Sequence, residues 1–167
     1  MSESRSEPQA LVHAPGYCAI GIEHTKSSHN VGTLWRSAHI LGASFIFTVG
    51  RRYSSQVSDT ACAWKRIPLF NFRNLDDLWQ HIPLDCRVVG IELDERAMPL
   101  EEHVHWPRAA YLLGAEDHGL TNEARRRCHD LLRLPGEYSM NVAVAGSIVL
   151  YDRAVRGWRP RAGGRVV

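Results

Sequence analysis

The feature that most constrains this chain is an alternation. Short, nearly continuous apolar runs recur between segments whose apolar residues lie three and four apart. The runs are 18–23, 44–49, 67–70, 87–93, 109–115 and 131–135. Each is shorter than an ordinary helix and apolar nearly throughout, as a strand covered on both faces must be. Between them, 30–41 places Val31, Leu34, Trp35, Ala38 and Leu41 at helical spacing, with Gly42 as a C-cap. Segment 74–81 does the same with Leu75, Leu78 and Trp79. Segment 121–129 opens on Thr121, a candidate N-cap, and 141–156 closes the series. Strands and helices in turn predict an α/β fold: a mostly parallel sheet with helices on both faces.

The alternation runs through 17–157 without repeat or linker, which predicts one domain there. Residues 1–16, polar and proline-bearing, are expected as a flexible lead-in, and 158–167 as a basic tail. The N-terminal stretch lacks the apolar centre of a signal peptide. The longest apolar stretch, 140–151, falls short of the roughly 20 residues a membrane span needs. It is expected as a buried helix, and no membrane partner is implied. Cys18, Cys62, Cys86 and Cys128 are scattered without a CxxC pair, which fits a reduced, cytoplasmic compartment.

Several chemistries are excluded by what is missing. There is no GxGxxG after a strand, no GxxxxGK[ST] and no GxSxG. His103 and His105 lie two apart beside Glu101 and Glu102, a spacing that matches no standard ligand pattern. They are expected as solvated loop histidines, and no metal is implied.

Three other motifs are present, in order. The first is Asn30-Val-Gly32-Thr-Leu-Trp-Arg36. Asn30 stands where a helix N-cap would, and Gly32 admits a close neighbour. Arg36 offers a planar fork of donors suited to phosphate. Taken alone, the segment reads as a capped amphipathic helix with an exposed arginine paired to a carboxylate. The second is Gly114-Ala-Glu116-Asp-His-Gly119, at the end of an apolar run, where open parallel sheets bind ligands. Taken alone, it is also an ordinary strand-to-helix turn. The third is Leu134-Pro135, then Ser139-Met140-Asn141-Val142 leading into an apolar helix. Ser139 or Asn141 could cap that helix, and Ala143, Ala145, Gly146 and Ser147 would let it pack closely.

Together the three motifs resemble those of the SpoU/TrmH RNA methyltransferases, a branch of the SPOUT class, from about Cys18 to Tyr151. The resemblance implies a C-terminal trefoil knot, a homodimer, and S-adenosylmethionine (SAM) as cofactor. It implies a cofactor pocket of Glu92, Leu93, Gly114, Ala115, Glu116, Gly119, Leu134, Pro135, Ser139, Met140 and Asn141. It implies catalytic roles for Arg36, Asn30, Glu116, Ser139 and Asn141, and methyl transfer to a ribose 2′-hydroxyl of RNA. Met140 and Ala143 depart from the commoner Leu and Ser of the pattern. Met at that position also occurs in the short branch acting on the tRNA wobble ribose, so these departures blur the subfamily. A bare catalytic domain, without the extra N-terminal RNA-binding domain of several rRNA-modifying relatives, is expected to favour tRNA over rRNA. A guanidinium is too weak an acid to serve as a general base. Arg36 is therefore expected to clamp a phosphate and steady the emerging oxyanion, leaving the proton to the phosphate, Glu116 or water.

Three basic groups are candidate RNA contacts: Arg51, Arg52, Lys65 and Arg66; Arg125–Arg127; and Arg153, Arg156, Arg159, Arg161 and Arg165, with Trp158 able to stack on a base. Each could equally be a solvated face or a tail. The apolar last helix and the Asn30 helix are the expected dimer interface. Competing readings are an rRNA ribose methyltransferase and a non-catalytic RNA-binding factor that keeps the fold.

Overall fold

The computed structural model describes residues 16–53 and 63–156. Among them are seven strands: β1 (Tyr17–Glu23), β2 (Phe45–Val49), β3 (Leu69–Phe72), β4 (Arg87–Ile91), β5 (Met98–Pro99), β6 (Arg108–Leu113) and β7 (Asp130–Arg133). They form one sheet in the order β3-β2-β1-β6-β4-β7-β5, and every pairing is parallel. Four helices accompany them: α1 (Ser28–Ile40), α2 (Leu75–His81), α3 (Asn122–Arg127) and α4 (Val142–Arg156).

The sheet is covered on both sides, as the apolar runs predict. Side chains alternate across a strand, so each run feeds two cores. On one face Ile20, Ile22, Tyr111 and Leu113 pack under Val31, Leu34 and Trp35 of α1 and Val149 and Leu150 of α4. On the other, Ala19, Phe47, Val88, Ala110 and Leu112 pack under Leu75 and Leu78 of α2 and Ala124 of α3. α1 and α4 lie close because Gly146 has no side chain: a Cβ there would sit 2.6 Å from Leu34. The Ser147 hydroxyl, 2.8 Å from that of Ser37, joins the same two helices.

The order of strands has a consequence for threading. β4 and β5 follow one another in sequence but do not pair; β7 lies between them, with Leu132 flanked by Ile91 and Met98. The 92–97 connection therefore crosses β7 at its carboxyl end.

Several expectations shift. α1 begins two residues before Asn30, capped by the Ser27 side chain, which accepts the Asn30 N–H at 3.4 Å. Asn30 is thus not the N-cap; it sits inside the first turn with its side chain free for other work. At the other end Leu41 is the C-cap, and Gly42 follows it at φ +81°. β3 starts at Leu69 rather than Ile67, whose carbonyl accepts the Trp35 Nε1–H at 3.1 Å. α3 stops at Arg127 because His129 is drawn to the sheet: its N–H bonds the Val88 carbonyl and its Nδ1 accepts the Val88 N–H. β5 escapes a sequence reading, being two residues long and half proline.

His103 and His105 are not solvated loop residues; both are 1% exposed. His105 is held by chemistry that spacing does not show. Its Nε2 lies 2.8 Å from Asp152 and its Nδ1 2.5 Å from the Tyr111 hydroxyl. An ionised Asp152 can only accept, so Nε2 donates to it and Nδ1 accepts from the tyrosine. Burial pushes the His105 pKa down to about 4, against the opposing bond to Asp152. No group of three or more metal-ligating side chains occurs among the described residues. No described helix is long and apolar enough to cross a membrane.

Candidate active site

A cavity of about 390 Å³ opens at the carboxyl ends of β4, β6 and β7. Four chain segments wall it. Ile91, Glu92 and Leu93 come from the end of β4, 113–119 from the end of β6, Leu134, Pro135 and 137–140 from the chain leaving β7, and Val142 and Ala145 from the start of α4. Strand ends gather here because the sheet is parallel: each apolar run delivers its following loop to the same edge.

The 114–119 loop takes its shape from two glycines. Gly114 touches Gly119 and Leu120 so closely that a Cβ would lie 1.9 Å from the Gly119 carbonyl carbon. Gly119 adopts φ +64°, and a Cβ there would meet the Glu92 carboxylate at 2.4 Å. Ala115 and Gly119 exchange backbone hydrogen bonds that close the loop. The two glycines thus permit the tight closure that sets this loop as one wall of the cavity.

Glu92 shapes this loop from below. Its carboxylate accepts the Leu120 N–H at 2.6 Å and its neighbour Leu93's N–H at 3.0 Å. Arg125 lies 3.7 Å from Glu92 and 3.6 Å from Asp94, and its Nε donates to the Leu120 carbonyl. Neighbouring Arg96 and then Arg125 hold the Asp94 carboxyl well below the usual carboxylate range.

The three motifs, far apart in sequence, meet at the cavity mouth. The Asn30 side-chain amide donates to Glu116, and its carbonyl oxygen accepts from the Asn141 amide at 3.0 Å. Asn141 also caps α4, its carbonyl oxygen accepting the Ala143 and Val144 N–H groups at 3.0 and 3.3 Å. Asn141, rather than Ser139, is therefore the cap. Lys26 pairs with Asp117, and this bond is the first cause holding the Asp117 carboxyl down.

Of the residues expected to hold a cofactor, ten line the cavity: Glu92, Leu93, Gly114, Ala115, Glu116, Gly119, Leu134, Pro135, Ser139 and Met140. Asn141 lies beside it through Asn30. Arg36 is exposed on α1, outside the cavity lining, and makes no hydrogen bond or ion pair among the described residues. It is not the carboxylate-paired surface arginine that the helix alone would suggest. Glu23 was not singled out by the sequence, yet it is buried at the end of β1 and bonded to Thr121. An acid closing an apolar run was its only visible signal.

The basic groups divide. Arg125 is spent on Glu92 and Asp94, and Arg127 on Asp76, Glu123 and the face of Trp79. Arg153 donates to the Trp106 and Pro107 carbonyls, and Arg156 to Asp152 and the Leu100 and Glu101 carbonyls. These four are internal ties rather than free RNA contacts, because each finds oxygen acceptors within reach. Arg51, Arg52, Lys65, Arg66 and Arg126 are exposed. Trp158, Arg159, Arg161 and Arg165 lie outside the described residues.

A parallel sheet with helices on both faces and a cavity at the carboxyl ends of β4, β6 and β7 defines an α/β protein with a ligand site at that sheet edge. Comparison narrows the class: the chain belongs to the SpoU rRNA Methylase family, whose model matches residues 18–151. Among curated relatives, the 23S rRNA (guanosine-2′-O-)-methyltransferase RlmB of Acinetobacter baylyi is 27% identical over 143 residues, 80% of this chain. The chain spans only 57% of that relative's length. Two solved structures share the fold. An AdoMet-bound rRNA methyltransferase from Sinorhizobium meliloti superposes with a TM-score of 0.74 at 25% identity, over 91% of this chain and 61% of that one. A structure described as giving insight into the 2-OH methylation of C/U34 on tRNA superposes at 0.73 and 21% identity, over 86% of this chain and 99% of that one.

Proposed function

We propose that this protein is a SAM-dependent RNA methyltransferase that modifies a ribose 2′-hydroxyl, with tRNA as its substrate. The observation that carries this reading is the meeting of Asn30, Glu116 and Asn141 at the mouth of the cavity. Three separated motifs need not touch unless one site uses them together.

The residues present fit SAM. Gly114 and Gly119 let the 114–119 loop close tightly on itself and on Glu92, which holds its backbone in the cavity wall. Glu92, Glu116, Asp117 and Glu137 line the cavity, and no lysine or arginine does, which suits a cationic ligand. SAM supplies an activated methyl on a sulfonium. The chain supplies placement. Leu134, Pro135 and Met140 give an apolar wall, Ser139 a hydroxyl, and the 114–119 backbone its polar groups. Arg36, exposed on α1 and outside the cavity lining, would hold an RNA phosphate and steady charge growing on the 2′-oxygen. Asn30 orients Glu116 and Asn141 on the cavity side.

The tRNA assignment is supported by extent: this chain aligns with 99% of the structure concerned with C/U34 on tRNA. The reading of rRNA as substrate is favoured by sequence identity, since the similar curated relatives include 23S rRNA enzymes. A homodimer joined through α1 and α4 belongs to the same proposal. An apolar hollow between those helices is lined by Thr33, Leu41, Ala143, Val144, Ser147, Ile148 and Tyr151. Val144 is 50% and Tyr151 60% exposed there. Threading of the C-terminal segment past the 92–97 connection, as a trefoil knot, is supported by β7 lying between two strands consecutive in sequence.

The test is transfer of labelled methyl from SAM to separated tRNA and rRNA fractions. The expected product is a 2′-O-methyl nucleotide in tRNA. Label in rRNA alone moves the substrate to the second reading. SAM binding without transfer to either leaves a non-catalytic binder.

A further inference from the structure

Glu23 ends β1 with its carboxylate sealed from solvent, 1% exposed, and the chemistry above gives it no task. A buried carboxylate is costly unless donors fill its oxygens. Here both are filled across 98 residues of chain: Oε2 accepts the Thr121 N–H at 2.9 Å, and Oε1 accepts the Thr121 hydroxyl at 2.7 Å. The Thr121 hydroxyl gives its one proton to Glu23, and its oxygen accepts the Ala124 N–H at 3.1 Å. A single hydroxyl thereby joins the end of β1 to the first turn of α3. One residue back, the Leu120 N–H is held by Glu92. Two carboxylates from two strand ends thus grip consecutive amides where the 114–119 loop closes. The chain after Glu23 continues the same seam, with Lys26 on Asp117 and Asn30 on Glu116.

We infer that Glu23 is a positioning residue of the cofactor site, an inference that rests on the cavity being where SAM binds. Through Thr121 it locks the 114–121 loop to the segment that leads into α1 and Arg36. Releasing that lock loosens the wall made by Gly114 and Gly119, so its cost falls on cofactor affinity before it falls on transfer. Thr121 is itself exposed, so its side chain can be changed without opening the core.

The experiment compares Glu23→Gln, Thr121→Val and Thr121→Ser with the unaltered full chain. It uses calorimetric titration with SAM, transfer kinetics and thermal melting. Gln turns an NH₂ toward the Thr121 donors, Val removes the hydroxyl, and Ser keeps it. Glu23→Gln and Thr121→Val are expected to weaken SAM binding about tenfold or more. Transfer at saturating SAM should stay within about threefold of the parent, and Thr121→Ser should match it. A purely structural role would lower the melting temperature and leave SAM affinity of the folded protein unchanged; that result overturns the inference while the SAM site stands. Equal loss in Thr121→Ser and Thr121→Val also overturns it. If Glu23→Gln does not fold, the two Thr121 variants decide alone. Failure of the unaltered chain to bind SAM instead removes the cofactor site itself.

Discussion

Arg36 and Asn30 sit six positions apart on α1 and have opposite fates. Asn30 is consumed by two side chains, Glu116 and Asn141, while Arg36 meets no partner among the described residues. An exposed arginine without a partner among the described residues keeps its guanidinium donors available to a ligand. Arg36→Ala should therefore leave SAM binding within about twofold while cutting transfer by about a hundredfold or more. Calorimetry and labelled-methyl transfer on the same preparation check both halves; unchanged turnover would remove Arg36 from the chemistry. Motif residues such as these stood out in the sequence only through the family resemblance, since each motif taken alone reads as an ordinary helix start or turn. Glu23 did not, because its partner lies 98 residues away and nothing local distinguishes it from any strand-ending acid.

At the scale of elements, α4 is held at both ends. Asn141 caps its start, and its last turn is tied through Asp152, Arg153 and Arg156 to the 100–107 segment and Tyr111. His105 lies inside that tie, faced by His103, Tyr111, Asp152 and Arg153. Its pKa is about 4 in the folded chain against the ordinary value of 6.5. The unfolded chain therefore binds the proton more readily. Stability tied to His105 is complete above about pH 6.5 and is lost as pH falls toward 4, by about 3 kcal/mol in total. Denaturant titrations between pH 7 and 4 should show this slope, and His105→Gln should flatten it. An unaltered slope in that variant would assign the acid sensitivity elsewhere. The same tie explains why Arg153 and Arg156, whose run the sequence left open as an RNA surface or a solvated face, are engaged within the fold. Composition showed a basic run, but the carbonyls of Leu100, Glu101, Trp106 and Pro107 that absorb it come from another part of the chain.

The whole molecule presents two surfaces that its own core does not use. One is the apolar hollow of α1 and α4. Replacing Val144, half exposed within it, by Glu would bury a charge in any interface formed there. Sedimentation should then show a monomer for this variant against the proposed dimer of the parent; a dimer in both places the contact elsewhere. The other is the exposed basic set Arg36, Arg51, Arg52, Lys65 and Arg66, of which Arg51 also donates to the Thr25 carbonyl. RNA affinity should fall about tenfold or more between roughly 50 and 200 mM salt, measured by filter binding. Affinity indifferent to salt would count against phosphate contacts there.

The meeting of the motif loops in one pocket was expected from the family resemblance; by itself the sequence determined the parallel α/β layering and the order of most strands and helices. Those follow from periodicity and from residues whose backbone preferences are local. Only the tertiary structure decided which charges are spent and which remain free. It turned Arg125, Arg127, Arg153 and Arg156 inward to acceptors, buried His105 as a neutral link, and set Glu23 on Thr121. The physical reason is that a charge's fate depends on the groups within a few ångströms in space, and a sequence orders its residues only along the chain.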